Sequence, residues 1–300
     1  DRIGRVVVAG FSEIPGVRAG NDPDAITLVR YSDAGRLDAT FGGGGGVVTT
    51  SLPSSSARPG ALALDDDGRI IVAGYEYEDI SQWGVMQPIV ARYTADGALD
   101  ASFNGGIVRI WFGEDGEWSS ATDVAVDPRG NVLVAGTSWG YFRQVAVVAR
   151  LSGSGVPDTS FGAGAGLVSS TFGHGAGGNG IALDSSGRVL LAGTAQTGSH
   201  VAMTIARYSG EGVPDPGFNN GGEETFWFPV DRRFHDVDGD NLTYTATLAD
   251  GSPLPPEIRL EGRVLSGKAP ADAGGVVVTA TDPAGLSATE TYGFLRSSAN

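Results

Sequence analysis

Short apolar runs alternate with glycine- and aspartate-marked turns along most of the chain. "RVVVAG", "GALAL", "RIIVAG", "PIVARY", "NVLVAG", "VAVVARL", "RVLLAG" and "MTIARY" are each only a few residues long and rich in β-branched side chains. Runs of that length bounded by turn residues predict strands. Their continuous apolar character predicts sheets covered on both faces.

The runs repeat. "VAG" ends at Gly10, Gly74 and Gly136, and its counterpart "LAG" ends at Gly193, giving a period of about sixty residues. Each unit reads as four strands. The first and second flank the turns "DDDGR", "DPRGN" and "DSSGR", where Asp opens and Gly follows three residues on, as a tight turn requires. A variable segment leads to the third strand, and a repeated "ADGALDASF"-like segment leads to the fourth. Within that segment Arg30, Arg92, Arg150 and Arg207 precede Asp38, Asp100, Asp158 and Asp215, and Phe41, Phe103, Phe161 and Phe218 follow. The Arg–Asp couple is read as a clamp on the turn between third and fourth strands, and the Phe as a wedge between units. Fourfold identity suits a structural role better than a single ligand site. Sheets packed face to face around an axis make a β-propeller.

The pattern "DxxGRxxVAG…ARYxxDGxLDxxF" resembles the delta-60 repeat, a bacterial β-propeller repeat of unknown biochemical role, over residues 1 to about 222. The resemblance implies an all-β chain with about four four-stranded blades, the first expected to lack its innermost strand. Residues 223–300 break the repeat. "LTYTATL", "VVVTATD" and "ATETYGF" alternate like a half-buried antiparallel sandwich. With "DVDGDNLTY", "LADGSPLP" and "LSGKAP", this region resembles a dystroglycan-type cadherin-like, or Ig-like, domain.

Composition narrows the chemistry. The 300 residues carry 35 acidic and 20 basic groups, a formal net charge of −15, so phosphate backbones are repelled and nucleic acid is not expected as a partner. The 48 glycines fit many turns. With no cysteine there are no disulfides, thiolate metal sites or cysteine nucleophiles, and Lys268 alone could form a Schiff base. No apolar run approaches the ~20 residues that span a bilayer, so no membrane insertion is expected.

Three groups of residues are candidates for function. Asp236, Asp238 and Asp240 alternate around a turn, as ligands of a hard cation do. The loop is not an EF-hand, because Asn241 and Thr247 stand where Gly and Glu are needed. The cadherin-like resemblance implies calcium held by these three with Asp282; a solvated acidic turn is the other reading. Second, the variable segments share one face of a propeller and carry Trp83, Trp118, Trp139, Tyr141 and Phe142, with Glu76, Glu78, Asp79 and Glu117. Aromatics beside carboxylates suit stacking on sugars or protein surfaces; the alternative is that they fold back as local loop cores. Third, His174 and His200 would lie on the same face and could serve as general base or metal ligands, with no nucleophile or zinc motif around them; ordinary loop surface is the other reading.

These features point to an extracellular or bacterial cell-surface binding and adhesion protein that recognises glycan or protein surfaces. A propeller hydrolase or lactonase is the enzymatic alternative, and a passive structural subunit, self-associating through edge strands, is the third reading.

Overall fold

The computed structural model describes residues 1, 3–13, 24–52, 56–80, 83–112, 118–139, 144–170, 175–197, 200–215, 218, 226–230, 234, 236, 240–256, 258–267 and 275–292. Four repeat units of antiparallel strands follow one another along the chain, each forming a sheet, with the second and third joined by one parallel bridge between Met86 and Trp118. The first holds β1 (Val6–Glu13), β2 (Asp24–Tyr31) and β3 (Val47–Thr50). The second holds β4 (Ser56–Leu64), β5 (Ile70–Ile80), β6 (Trp83–Tyr93) and β7 (Ile107–Arg109). The third holds β8 (Trp118–Val126), β9 (Val132–Trp139), β10 (Gln144–Leu151) and β11 (Leu167–Ser170). The fourth holds β12 (Gly175–Leu183), β13 (Val189–Thr197) and β14 (His200–Tyr208).

Three apolar layers lie between these sheets. Ile26, Leu28 and Phe41 of the first unit meet Ile70, Val72 and Tyr93 of the second. Ile71, Val90 and Phe103 of the second meet Val132, Val134 and Val147 of the third. Leu133, Val148 and Phe161 of the third meet Val189, Leu191 and Tyr208 of the fourth. Successive residues of a strand point to opposite faces. An unbroken apolar run such as "IIVA" therefore feeds two layers at once, which is why these strands do not alternate in polarity.

The turns are made locally. Asp65 Oδ1 accepts from the N–H groups of Asp67 and Arg69 at 3.0 and 2.9 Å, and Gly68 takes φ +76°, a conformation that favours glycine. Asp127 and Asp184 do the same in the next two units.

Much of what the sequence suggested as variable loop is strand. "YEYEDISQWGVMQ" extends one long hairpin, with β5 and β6 in register out to the pair Ile80 and Trp83. "TAQTGSH" similarly continues β13 into β14, out to Thr197 opposite His200. Tyr77 allows the first extension by lying over Gly84, where any side chain would collide with its ring.

Beyond the repeat, β15 (Phe226–Pro229) lies between β14 and β18 (Val264–Gly267) in one six-stranded sheet. Trp227 pairs with Met203 of β14, in the place that β11 occupies beside β10, and β15 also pairs along its length with β18. β17 (Ile258–Glu261) flanks β18, while β16 (Thr243–Leu248), β19 (Val276–Thr281) and β20 (Ser287–Tyr292) form a separate sheet. Val230, Ile258, Leu265, Val276 and Val278 make a small core there, with Phe234 edge-on to Tyr244 at 5.8 Å.

Candidate functional site

Of the aromatics expected on one face, the structure places Trp118 and Trp139 directly opposite each other across β8 and β9. A break of register makes this possible. The first strands of three units, β4, β8 and β12, each carry an extra residue, at Gly60, Thr122 and Asn179. A one-residue shift moves every following side chain to the other face of a strand, so the bulge at Thr122 decides which residue Trp118 faces. Thr122 also anchors the bulge to the next unit by donating to the Gly178 carbonyl at 2.7 Å, and Asp123 Oδ2 accepts from Ile181 N–H at 2.8 Å.

Both indoles are open to solvent, 43% and 40% exposed. Directly opposite residues have Cβ atoms about 4.5–5.5 Å apart, so the two rings lie on one side of the sheet as neighbours. The Ser119 and Ser138 hydroxyls, 3.2 Å apart, are buried in the adjacent register pair. Gln144, opposite Trp139 on β10, and Met86, bridged to Trp118 from β6, complete the surroundings. Sequence reading named the two tryptophans without pairing them, and it missed Gln144 and Met86.

The other expected residues are placed as follows. Trp83 and Glu78 are strand positions in the β5–β6 hairpin, described by their backbone alone. Glu76, expected to face a ligand, is instead 6% exposed and holds Arg109 through two hydrogen bonds, Nε to Oε1 and Nη2 to Oε2. That pairing ties β5 to β7 across β6, so its carboxylate belongs to the sheet. Tyr141, Phe142, Glu117 and His174 lie outside the described residues, and His200 is placed only as the first strand position of β14.

Among the calcium candidates, Asp236 Oδ1 accepts from Asp240 N–H at 3.1 Å, which folds the acidic turn on itself. Asp282 Oδ1 is engaged by Leu286 N–H at 2.8 Å in its own hairpin turn. Asp238 lies outside the described residues. No three acidic or histidine side chains converge among the described residues.

The Arg–Asp couples meet in all four units. Nε donates to the Asp Oδ2 at 2.8 Å for Arg30, Arg92 and Arg150, and at 2.7 Å for Arg207. Each guanidinium lies over the following Phe ring, 4.5–4.8 Å from its centre. The couple also reaches forward. Arg92 Nη1 donates to the Gly153 carbonyl of the next unit at 2.6 Å, and Arg30 and Arg150 donate likewise to Ala95 and Gly210. The clamp therefore holds its own turn and the neighbouring one together. The Thr40 hydroxyl, donating to Asp38, holds that carboxyl below its ordinary 3.8, with Thr40 N–H and Arg30 adding to the effect and burial opposing it. Ser102 and Ser160 lower Asp100 and Asp158 in the same way, assisted by Arg92 and Arg150.

Among the described residues no helix is long and apolar enough to cross a membrane. A family model described as a domain of unknown function (DUF5122) beta-propeller matches residues 66–103. That stretch runs from the Asp65 turn through β5 and β6 to the Arg92 clamp and ends on Phe103. No curated protein matches the chain. Among solved structures, a glycosyl hydrolase from Bacteroides ovatus is 12% identical with a TM-score of 0.32, over 96% of this chain and 84% of that one. A glycoside hydrolase is 15% identical with a TM-score of 0.32, over 99% of this chain. The chain spans 63% of that second protein. The repeated face-to-face sheets and the matched repeat together make the fold a β-propeller.

Proposed function

We propose that this chain is a secreted or cell-surface binding protein that captures neutral glycan on the Trp118–Trp139 pair. The observation that supports this is the pairing itself. Two large aromatic side chains stand in register and open to solvent at the end of a rigid sheet. Burying an aromatic is worth a few kcal/mol, so a sheet that leaves two neighbours open forgoes that gain, and contiguous exposed apolar surface marks an interaction site. Two exposed indoles on one side of a sheet suit the apolar faces of sugar rings, with Gln144 opposite Trp139 as a hydrogen-bonding group. The net charge of −15 disfavours anionic polymers and leaves neutral ones. The region 223–300, proposed as a cadherin-like spacer, would carry the propeller at a surface. Calcium at residues 236–240 stands as a separate proposal, and glycan capture takes no step through it.

Affinity electrophoresis in gels containing xyloglucan, mixed-linkage glucan or galactomannan tests the reading. Retardation of the wild-type chain by at least one polymer is expected. Trp118→Ala or Trp139→Ala should each weaken it by roughly thirtyfold, the value of a buried aromatic anchor worth about 2 kcal/mol. Retardation unchanged in both variants would remove the pair as the site.

A further inference from the structure

The paired indoles are two members of a longer row. The second and third units share one continuous sheet through the bridge between Met86 and Trp118. Tyr77 lies opposite Met86 across β5 and β6, Met86 opposite Trp118, Trp118 opposite Trp139, and Trp139 opposite Gln144. Residues directly opposite one another share a face of a sheet. Tyr77, Met86, Trp118, Trp139 and Gln144 therefore follow one another on one side, each on its own strand. Neighbouring strands are about 4.8 Å apart, so the row is about 19 Å long.

The row grows out of a position that the repeat supplies in each unit. Tyr77 and Trp139 each stand three residues after the glycine of their "VAG" run, and Met86 and Gln144 are their partners across the hairpin. Trp118 joins the two hairpins. In the fourth unit Gln196 and Val201 hold the same places, so the aromatics stop there. Gly84 sets the Tyr77 ring. A Cβ on that glycine would collide with the ring, and Gly84 is buried beneath it. A ring laid over a glycine covers the strand with one face and leaves the other for stacking. Tyr77, Met86 and Gln144 are half-buried, held by the sheet and reached by solvent. None of the five is charged, in a chain whose net charge is −15.

We propose that this row is one track, and that its ligand is an internal stretch of a single linear neutral glycan chain. The proposal rests on capture by Trp118 and Trp139, and it adds Tyr77 and Met86 as the residues that set the preferred chain length. Two indoles alone serve a short ligand. A row of about 19 Å takes several sugar rings in line. Tyr77, Trp118 and Trp139 stack on them, the pliable Met86 thioether fills the space between two aromatics, and Gln144 offers hydrogen bonds at one end. Strands in a sheet turn by about 20–25° from one to the next, so the row is a twisted ramp. A single flexible chain can follow a ramp; the flat face of a crystalline polymer cannot.

Titration calorimetry with cello- and manno-oligosaccharides from dimer to hexamer, on the wild type, Met86→Ala, Tyr77→Ala and Trp118→Ala, tests this. Wild-type affinity for at least one series is expected to rise with length. Met86→Ala and Tyr77→Ala should leave dimer binding unchanged and each weaken hexamer binding by roughly tenfold. Trp118→Ala should weaken binding at every length. Amorphous cellulose or mannan should retain the wild type, and microcrystalline cellulose should not. Far-ultraviolet circular dichroism checks the fold, and Met86→Ala, which leaves Tyr77 on Gly84, carries the test if Tyr77→Ala unfolds the hairpin. An affinity that is the same at all lengths, hexamer binding that only Trp118→Ala weakens, or retention on microcrystalline cellulose would overturn the track and leave the paired indoles standing. A wild type that gives no heat with either series would remove the track together with the reading it rests on.

Discussion

Arg92→Ala removes the residue that most directly joins one repeat to the next. Its guanidinium makes three hydrogen bonds, to Asp100 at 2.8 Å, to the Gly153 carbonyl at 2.6 Å and to the Ser102 hydroxyl at 3.0 Å, and it covers the Phe103 ring. The side chain is almost fully enclosed. Truncation leaves the Asp100 carboxylate with its Ser102 contacts and the more distant charge of Arg69, and leaves the Gly153 carbonyl without this donor. Breaking a buried pair from one side costs about 3–5 kcal/mol. Asp100 keeps a little contact with water, which puts the expectation near the lower bound, about 3 kcal/mol. At about 2–4 °C per kcal/mol for a unit of this size, the melting temperature should fall by roughly 6–12 °C. Arg69→Ala is the control. Its pairs with Asp65 and Asp67 are local and partly exposed, and it acts on Asp100 only through its charge, so its loss should stay below about 1 kcal/mol. Arg92→Met combined with Asp100→Leu should recover part of the loss, because no charge is then left buried. Urea unfolding and calorimetry of the four proteins supply the comparison. An Arg92→Ala loss no larger than that of Arg69→Ala would refute the clamp as a junction.

Three further outcomes are expected. The carboxyls of Asp38, Asp100 and Asp158 are depressed in the fold, so the stability they contribute is present above about pH 3.8 and is lost as pH falls from there through their folded values. Melting temperature should therefore drop steeply in that acid range, and Ser102→Ala, which removes the largest cause at Asp100, should make the drop shallower. Gly97→Ala places a methyl 2.7 Å from both Phe41 and Val48 at φ +95°, so it should cost about 1–3 kcal/mol more than Gly130→Ala, which has the positive φ but open space. If calcium is held at residues 236–240, adding the ion should raise the melting temperature of the region 223–300 and Asp240→Asn should abolish the rise; a melt identical in calcium and in chelator would contradict that proposal.

The repeat was legible because its interactions are short in sequence. The Asp-to-Gly turns and the Arg92–Asp100 couple lie within a few residues, and their recurrence supplied the alignment. The forward reach of Arg92 to Gly153 crosses a whole unit and is visible only in the assembled sheets. Glu76 looked like a surface acid because its partner Arg109 is 33 residues away, on a strand two places across the sheet. The Trp118–Trp139 pairing was hidden by the bulge at Thr122, since counting outward from the Asp127 turn without the extra residue gives the wrong partner. The boundary after residue 222 followed the end of the repeat pattern, but hydrogen bonding runs on, with β15 completing the fourth sheet while pairing with β18. A strand that joins β14 to β18 within one sheet has no signature in the repeat pattern.

Isothermal titration of xyloglucan and mixed-linkage glucan oligosaccharides into the wild-type chain, Trp118→Ala and Trp139→Ala tests the proposed function most directly. Heat that saturates with the wild type and disappears in both variants is the result predicted for a glycan-binding surface on the paired indoles. Heat that saturates identically in all three proteins, or that persists after each injection as turnover does, would contradict it.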